Sequence, residues 1–293
     1  MARKFLWLRL NLPVLMAMAV FLFPASLHAE YPTSWRDAKN TAQDKVYEGR
    51  KTKTFYCGCD YVSDNDNDND GSGDVDLAAC GMAPLPLKRG SAKEIQWEHI
   101  VPASLMPARQ HPCWDKSEQF PECVSNSGNV TTKRDCCVRV KDEFRHMIFD
   151  LHNLAPAIGQ VNQYRSNDRY GIVRAGGAMW PGCDAKDLGG TSPGEANLFE
   201  PPDCMKGNVA RVWLYMSDVH GVKIPDHERI MFLQWDRLDP VNSWEQERDE
   251  LIRLICRPFN RDPDFLRTKD SMTAFVYRMG NRNVLDCLAV MKG

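Results

Sequence analysis

The sequence predicts a single mixed domain of the α+β class that is rich in disulfides. Strand-like segments and helical patterns both occur along the 293-residue chain, no internal repeat is present, and no compositional break divides it. Residues 30–293, which follow a predicted export signal, are enough for one large domain or two small ones. The absence of a break favours one domain over the whole of 30–293.

The first half of the chain is predicted to mix extended segments with two helices. Thr33 or Ser34 would cap the first helix, Gly49 would end it, and a proline would open the second. The predicted segments are a helix over Ser34–Gly49, strands over Lys53–Tyr61 and Lys93–Val101, a disulfide-linked excursion over Pro102–Lys141, a short extended piece over Asp150–Leu154 and a helix over Pro156–Arg165.

The second half begins with a loop and continues with helices. Glycine and proline pairs indicate a loop over Gly171–Cys204. The last long pattern has Ser243 as predicted N-cap and Gln246 at the capping-box position. The predicted helices are Val209–Asp218, Asp226–Arg237, Trp244–Cys256 and Ser271–Met279.

Residues 1–29 form the predicted signal peptide. A basic start precedes an almost wholly apolar run over Leu12–Phe23, and Ala29 is a small residue suited to cleavage before Glu30. An uncleaved membrane anchor is the alternative, but the apolar run is short, Pro13 interrupts its start and Pro24 follows its end. We therefore expect a periplasmic or secreted protein that does not stay in the membrane after signal cleavage.

All eleven cysteines lie after the signal peptide. An exported chain with this many cysteines is expected to form disulfides, and no CxxC…CxxC zinc framework is present. Cys136 and Cys137 are adjacent and should have different partners. Because eleven is odd, at least one thiol is free or pairs with another chain.

Spacing narrows the pairing of five of these cysteines. Cys57 and Cys59 are too close to pair easily, so both should reach elsewhere, with Cys80 one candidate partner. Cys113 and Cys123 bracket a short loop and are predicted to form a local bridge.

The overall charge gives no clear sign of a nucleic-acid partner. The formal net charge is −2, whereas phosphate binding favours basic surfaces. Six aspartates lie in the single run 64–76, so the acidity is local and a basic face elsewhere remains compatible with the sequence.

An acid and an imidazole stand side by side near the end of the second predicted strand, in Gln96-Trp97-Glu98-His99-Ile100-Val101-Pro102. A hard-metal ligand next to a general base is what a metal-dependent phosphodiesterase needs. Neighbours on a regular strand face opposite ways, so the strand must twist or end here. Pro102 is consistent with an ending. A Trp-Glu-His sequence on a strand, taken alone, more often serves core packing than catalysis.

Other motifs accompany this one along nearly the whole mature chain. They are Tyr56-Cys57-Gly58-Cys59-Asp60, Cys80-Gly81, Cys113-Trp114, Asp150-Leu151-His152-Asn153-Leu154, Gly159-Gln160-Val161-Asn162, Tyr215-Met216-Ser217-Asp218 and Trp244-Glu245-Gln246-Glu247-Arg248-Asp249. Together and in order they resemble the bacterial endonuclease I family. The resemblance implies an embedded ββα-metal (His-Me) finger.

The resemblance also implies an activity and a site. The chain would be an exported, Mg²⁺-dependent endonuclease that hydrolyses DNA, and possibly RNA, with little sequence preference and leaves 5′-phosphate ends. His99 would be the general base, and Glu98 and Asn162 would hold one Mg²⁺. We expect the nucleic acid to be bound through its phosphates. No protein partner is evident.

Secondary roles are less defined. Asp150, His152 and Asn153 are expected to support the site, with Asn153 a possible cap for the helix opened by Pro156. The family uses an arginine in the excursion to steady the scissile phosphate. Residues 113–123 contain no arginine, and their one basic residue is Lys116. The candidates for this contact, left open by the sequence, are Lys116, Arg134, Arg139 and Arg165.

The acidic run follows the spacing of a calcium loop. Asp66, Asp68, Asp70 and Asp74 occupy its ligand positions, and a glycine stands at the turn. Leu77 replaces the usual bidentate glutamate. We expect residues 64–76 to form an insertion with a structural Ca²⁺; a solvated acidic run is the alternative.

Two other functions stay open at this point. One is a catalytically inactive, calcium-stabilised secreted binding module, and the other is a zinc hydrolase. Magnesium-dependent degradation of a plasmid separates the first from a nuclease, and stoichiometric zinc in the purified protein would indicate the second.

Overall fold

The computed structural model describes residues 31–50, 52–63, 73–85, 87, 90–174, 180–188 and 198–256. The predicted signal peptide, most of the acidic run and the predicted helix Ser271–Met279 lie outside these residues. Within them, none of the helices has the length and apolar character needed to cross a membrane.

Helices and small sheets are mixed, which confirms the α+β class. The helices are α1 (Trp35–Thr41), α2 (Pro112–Asp115), α3 (Arg134–Val140), α4 (Asp142–Ile148), α5 (Gly159–Arg165), α6 (Lys206–His220), α7 (Asp226–Leu238) and α8 (Ser243–Cys256). The strands are β1 (Tyr61–Ser63), β2 (Gly73–Val75), β3 (Ile95–His99), β4 (Leu154–Ile158), β5 (Arg169–Tyr170), β6 (Lys186–Asp187) and β7 (Leu198–Glu200).

The first helix forms as its sequence predicts. The Ser34 side chain accepts a hydrogen bond from the Asp37 amide at 3.1 Å and caps α1. A π-helical segment, Ala42–Tyr47, continues the helix. Gly49 follows with φ +69°, a conformation that glycine adopts without a side-chain clash.

Strands β3 and β4 form an antiparallel pair, and α5 follows β4 directly. Ile95 lies opposite Ile158 and His99 lies opposite Leu154. Because side chains alternate along β3, Ile95 and Trp97 enter the hydrophobic core. The order β3–β4–α5 is the ββα arrangement expected from the motifs.

The prediction that Pro156 opens a helix is wrong. Pro156 lies within β4, where a two-stranded pair tolerates its missing N–H. The helix starts at Gly159, whose amide donates to the Glu94 carbonyl oxygen at 2.8 Å. A Cβ at Gly159 would lie 2.5 Å from the Ser91 carbonyl oxygen, so this close approach requires glycine. The predicted extended piece over Asp150–Leu154 is a 3₁₀ turn, Leu151–Asn153, that leads into β4.

The predicted strand over Lys53–Tyr61 is also wrong. The Thr54 amide donates to the Cys59 carbonyl oxygen, and the Gly58 amide donates to the Thr54 carbonyl oxygen. These local hydrogen bonds close a tight turn, in which Gly58 has φ +62°. Pairing as a regular strand begins only at Tyr61.

Disulfides link distant parts of the chain. Cys57 and Cys59 both pair elsewhere as expected, and Cys80, the candidate partner for either of them, bonds Cys59. Cys136 and Cys137 have different partners as expected. The predicted Cys113–Cys123 bridge is wrong, because adjacent residues on α3 point about 100° apart and each takes one of these two cysteines. The pairs are Cys57–Cys183, Cys59–Cys80, Cys113–Cys137 and Cys123–Cys136; Cys204 is disulfide-bonded as well.

Helix α6 extends beyond its predicted bounds by three residues at its start and two at its end, and α7 and α8 each extend by one residue. At the start of α8 the cap differs from the prediction of Ser243 and Gln246. The Asn242 side chain accepts from the Glu245 amide at 3.0 Å, and the Glu245 carboxylate accepts from the Asn242 amide at 3.2 Å. This reciprocal pair is a capping box one residue earlier in the chain.

Candidate active site in the ββα unit

Two polar contacts join β3 to α5. Gln96 and Glu98 point to the same face of β3, and Asn162 and Arg165 lie one helical turn apart on α5. Asn162 Nδ2 donates to Gln96 Oε1 at 2.8 Å, and Arg165 Nη1 lies 2.8 Å from Glu98 Oε1. Glu98 and Asn162, the two predicted metal ligands, therefore occupy neighbouring positions of one interface.

Glu98 is buried, and only one of its two carboxylate oxygens makes polar contacts with other described residues. Oε1 accepts from the Tyr56 hydroxyl at 2.8 Å and pairs with Arg165. Oε2 is also buried, yet it has no hydrogen-bond partner among the described residues. Burial raises the pKa of Glu98 to about 7, although Arg165 and the Tyr56 hydrogen bond both act to lower it. A cation at Oε2 would favour the ionised carboxylate.

His99 is held by an aromatic stack and a backbone carbonyl. Its ring lies 4.8 Å from the Trp35 ring, with an interplanar angle of 19°. Nε2 lies 2.7 Å from the Ile148 carbonyl oxygen, which can only accept, so this geometry assigns the proton to Nε2. Nδ1 then carries the lone pair. Burial lowers the pKa of His99 to about 3, and the nearby charge of Arg134 acts in the same direction. The imidazole is therefore neutral at pH 7.

The strand ends where Pro102 predicts an ending. Regular pairing stops at His99, and Ile100 and Val101 form a bend. The Glu98 side chain contacts Tyr56 and α5, whereas the His99 side chain contacts α1 and the end of α4.

Asn153 fixes the bend after β3. Its side chain accepts from the Val101 amide at 2.7 Å and donates to the Val101 carbonyl oxygen at 3.0 Å. Its carbonyl oxygen accepts from the Ile100 amide. The expectation that Asn153 caps a helix opened by Pro156 is wrong; its contacts are across the β3 end.

Asp150 and His152 belong to a buried charge network behind the site. Both ring nitrogens of His152 face carboxylates, Asp150 at 3.1 Å and Asp249 at 2.9 Å. Asp150 also contacts the Tyr215 hydroxyl and His220 Nε2. Burial alone would lower the pKa of His152, but its two carboxylate partners raise it. Burial alone would raise the pKa of Asp150, but hydrogen bonds from His152 and His220 hold it well below its usual range.

The four predicted phosphate-contacting cations have different surroundings. Arg165 is 1% exposed and donates to the His99 and Ile100 carbonyl oxygens besides pairing with Glu98, so it belongs to the scaffold. Arg139 is exposed and donates to the Glu122 carbonyl oxygen at 3.4 Å. Lys116 is exposed between α2 and the next turn.

Arg134 is the candidate whose side chain shares a contact with the His99 ring. Its guanidinium lies 4.9 Å from the centroid of Trp35, the same indole that stacks on His99. Nε donates to Asp135 at 2.9 Å, and this side chain is 29% exposed. No other hydrogen bond of this guanidinium is formed within the described residues.

The predicted calcium loop falls mostly outside the described residues, which exclude Asp66, Asp68 and Asp70. Asp74 is described, and its carboxylate forms an ion pair with Lys93. A cation in this loop would compete with Lys93 for the Asp74 carboxylate.

The residues at Glu98 fit a hard divalent cation better than zinc. Within the described ranges, no group of three or more His, Cys, Asp and Glu side chains could hold a metal. Glu98 and Asn162 would supply two oxygen ligands, and Mg²⁺ usually completes such a set with water. The unpartnered, buried Glu98 Oε2 is an atom that such a cation would satisfy.

Three residues that shape the site were not assigned by sequence reasoning. Tyr56 stood within a quoted motif but carried no role, and Gln96 was part of the opening strand. Trp35 had no local signal, because its contact with His99 spans 64 residues of chain and depends on the tertiary fold.

Similarity to known proteins agrees with this architecture. A model of the endonuclease I family matches residues 34–264. Endonuclease-1 of Buchnera aphidicola is 33% identical over 200 residues, covering 68% of each chain. An extracellular deoxyribonuclease of Aeromonas hydrophila is 31% identical over 245 residues, 82% of this chain and 92% of the relative. A periplasmic deoxyribonuclease of the same species is 30% identical over 248 residues, 83% and 90% of the two chains. These relatives confirm the predicted periplasmic or secreted location. The chain belongs to the endonuclease I family.

Proposed function

We propose that this protein is an exported endonuclease that hydrolyses phosphodiester bonds of DNA with the help of one Mg²⁺. The observation that carries the proposal is the pair formed by Glu98 and His99. The buried Oε2 of Glu98 has no hydrogen-bond partner within the part of the chain that the structure describes, and Nδ1 of His99 is the unprotonated nitrogen. Both belong to a ββα unit in a chain of the endonuclease I family. The related proteins named deoxyribonucleases support DNA as the substrate.

His99 serves as the general base in this proposal. A neutral imidazole is the form that accepts a proton, and the Ile148 carbonyl keeps Nε2 as the protonated nitrogen. Nδ1 takes a proton from the attacking water, whose oxygen adds to phosphorus in line with the departing 3′ oxygen. The product then carries a 5′-phosphate. A bound phosphodiester would offset the positive charge of Arg134 and raise the pKa of His99.

Glu98 and Asn162 are the residues that would hold Mg²⁺. When bound, the ion stabilises negative charge on the phosphorane-like transition state and on the leaving oxygen. Tyr56 and Arg165 occupy Oε1 of Glu98, which leaves Oε2 as its coordinating atom. Asn162 uses its amide nitrogen toward Gln96, which leaves Oδ1.

Arg134 is our choice for the contact to the scissile phosphate. Its stack on Trp35 keeps its charge beside His99, and its two terminal nitrogens suit bidentate phosphate binding. Helix α3, which begins at Arg134, is tied down by two disulfides directly afterwards. Contacts of this kind carry no sequence information, in agreement with a non-specific enzyme.

The test is degradation of plasmid DNA by the mature protein with Mg²⁺ and with EDTA. We expect activity only with the metal, 5′-phosphate ends, and a loss of about 10²–10⁴-fold in His99→Ala. His227→Ala, at an exposed histidine on α7, is the matched control and should retain wild-type activity. A parallel assay on single-stranded RNA measures the RNA activity.

The binding-module alternative makes the opposite prediction. A wild-type protein that leaves plasmid intact with Mg²⁺, or a His99→Ala variant as fast as wild type, would contradict the nuclease. For the acidic insertion we propose a structural Ca²⁺ held by Asp66, Asp68, Asp70 and Asp74. An unchanged melting temperature in millimolar Ca²⁺ would contradict it.

A further inference from the structure

Two side chains on one face of β3, and a third directly before the strand, lie in a row that leads to Asn162. Gln96 and Glu98 are two residues apart on β3, and Glu94, which directly precedes the strand, continues the same spacing. Gln96 Nε2 donates to Glu94 Oε1 at 2.6 Å, and Gln96 Oε1 accepts from Asn162 Nδ2 at 2.8 Å. Glu94, Gln96 and Asn162 are all half-buried. We call this chain the Glu94–Gln96–Asn162 relay.

The relay has a direction that Glu94 sets. A carboxylate can only accept hydrogen bonds, so Gln96 must turn its NH₂ group toward Glu94. Its carbonyl oxygen then faces Asn162, which must donate a hydrogen bond from its own NH₂ group. If Asn162 turned over, two carbonyl oxygens would meet at hydrogen-bond distance and repel. The relay therefore leaves Oδ1 of Asn162 pointing away from Gln96.

We propose that Gln96 is a positioning residue that selects the oxygen of Asn162 as the metal-facing end of its amide. An amide presents an oxygen and a nitrogen of nearly equal size, and only the oxygen coordinates a hard cation. This inference rests on the proposed metal site and deepens it. Gln96 does not itself coordinate, because both ends of its amide are already used.

The first member of the relay is fixed by the backbone around it. The Ser91 amide donates to Glu94 Oε2 at 3.0 Å. Gly90 has φ +63°, and a Cβ there would collide with the Glu94 carboxylate. The Glu94 carbonyl oxygen accepts from the Gly159 amide at the start of α5. Glu94 is thus held on both sides, so it can impose its acceptor character on Gln96.

The first experiment measures Mn²⁺ binding by calorimetry, without nucleic acid, in wild type, Gln96→Leu and Glu94→Gln. Loss of a residue that orients a metal ligand typically costs about 10–100-fold in metal affinity. We expect a rise of about tenfold in Kd for Gln96→Leu. A smaller rise is expected for Glu94→Gln, which lets both amides turn over. Gln234→Leu makes the same chemical change at an exposed position of α7 and should bind as wild type does.

The second experiment exchanges the two ends of the relay. In Glu94→Gln/Gln96→Glu, the side chain beside Asn162 is an obligatory acceptor, and the one at position 94 can donate to it. Total charge is unchanged. We expect Mn²⁺ affinity to return to within about threefold of wild type. A packing role for Gln96 predicts instead that the exchange, which places a carboxylate beside Asn162, is no better than Gln96→Leu.

The results separate this proposal from the proposed function. If Glu98→Ala and Asn162→Ala leave Mn²⁺ affinity unchanged, the metal site is wrong. If those two variants lose the metal but Gln96→Leu binds within twofold of wild type at an equal melting temperature, the metal site stands and the relay is wrong. Should Gln96→Leu fail to fold, an unimpaired Glu94→Gln together with an impaired exchange variant would overturn the relay.

Discussion

Two buried carboxylates, Glu98 in the ββα unit and Glu245 at the start of α8, each face a buried arginine, but they are used differently. Arg211 donates from Nε and Nη2 to both oxygens of Glu245, each at 2.7 Å. Arg165 occupies only one oxygen of Glu98, and no described residue forms a hydrogen bond with the other. Both oxygens of Glu245 are therefore occupied by its arginine, whereas Glu98 keeps one oxygen open for a further ligand.

An unpartnered oxygen alone does not mark a functional site. Asp236, which also contacts Arg211 at 2.9 Å, has one as well. Glu98 differs because Asn162 and His99 lie in neighbouring positions of the same ββα unit. A buried carboxylate with one open oxygen therefore indicates a metal site only where a second ligand and a base lie beside it.

The largest expected effect is on folding, at Glu245. Removing one partner of a buried ion pair typically costs about 3–5 kcal/mol when the remaining charge is left unpaired. Arg211 keeps Asp236 at 2.9 Å, so we expect Glu245→Ala to lower the free energy of unfolding by about 3 kcal/mol, the lower end of this range, measured by urea denaturation. Its activity per folded molecule should be unchanged. Equal activity loss in Glu245→Ala and Glu98→Gln would erase the distinction between the two sites.

At Glu98 we expect the opposite pattern. Glu98→Gln keeps the hydrogen bond from Tyr56 but removes the charge that holds the metal. We expect a loss of about 10²–10³-fold in kcat/KM, comparable to removal of one transition-state donor. Because burial penalises the charged carboxylate, the folded state should lose less stability than in Glu245→Ala. A plasmid assay and urea denaturation on the same preparations measure both effects, and unchanged activity would contradict the proposed role of Glu98.

The elements with local signals were predicted well. Helices α6, α7 and α8 follow from their periodicity, α1 from its cap, and β3 from its extended pattern before Pro102. Errors arose where distant residues decide the structure. Pro156 lies in a strand because β3 pairs with it, and Cys113 bonds Cys137 because α3 presents two adjacent thiols. Periodicity and spacing along the chain contain neither fact.

The residues of the candidate site also fall into those that local motifs predict and those that only the tertiary fold reveals. Glu98, His99 and Asn162 were identified through motifs, which specify chemistry at single positions. Their supports, Trp35 and Tyr56, contact them across 64 and 42 residues of chain, so only the tertiary fold reveals these contacts. The choice of Arg134 over Arg165 likewise needed burial, because both are ordinary arginines in the sequence.

The network behind the site makes stability depend on pH at both ends. The pKa of His152 is raised, so its contribution is complete below pH 6.5 and is lost as the pH rises through the folded-state value. The pKa of Asp150 is lowered, so its contribution is present above pH 3.8 and is lost as the pH falls further. We expect melting temperature to decrease in both directions. His152→Asn should flatten the alkaline side and also weaken the dependence on the acid side, because His152 helps to lower the Asp150 pKa. An unchanged alkaline slope would contradict the ionised network.

The smallest expected effect sharpens the comparison at a single oxygen. The Tyr56 hydroxyl contacts both Glu98 Oε1, at 2.8 Å, and the Tyr170 hydroxyl, at 2.5 Å. Without it, Arg165 alone orients Glu98, and the carboxylate can rotate away from presenting Oε2. We expect Tyr56→Phe to weaken Mn²⁺ binding by about tenfold and to leave kcat at saturating metal nearly unchanged.

Tyr61→Phe is the matched control, because this buried tyrosine lies on β1, away from Glu98. Equal metal affinity in Tyr56→Phe and Tyr61→Phe would mean that Arg165 suffices to orient Glu98. The ion pair with Arg165 would then be enough to keep Glu98 Oε2 open. Glu98 and Glu245 would differ only in how many guanidinium nitrogens contact each carboxylate.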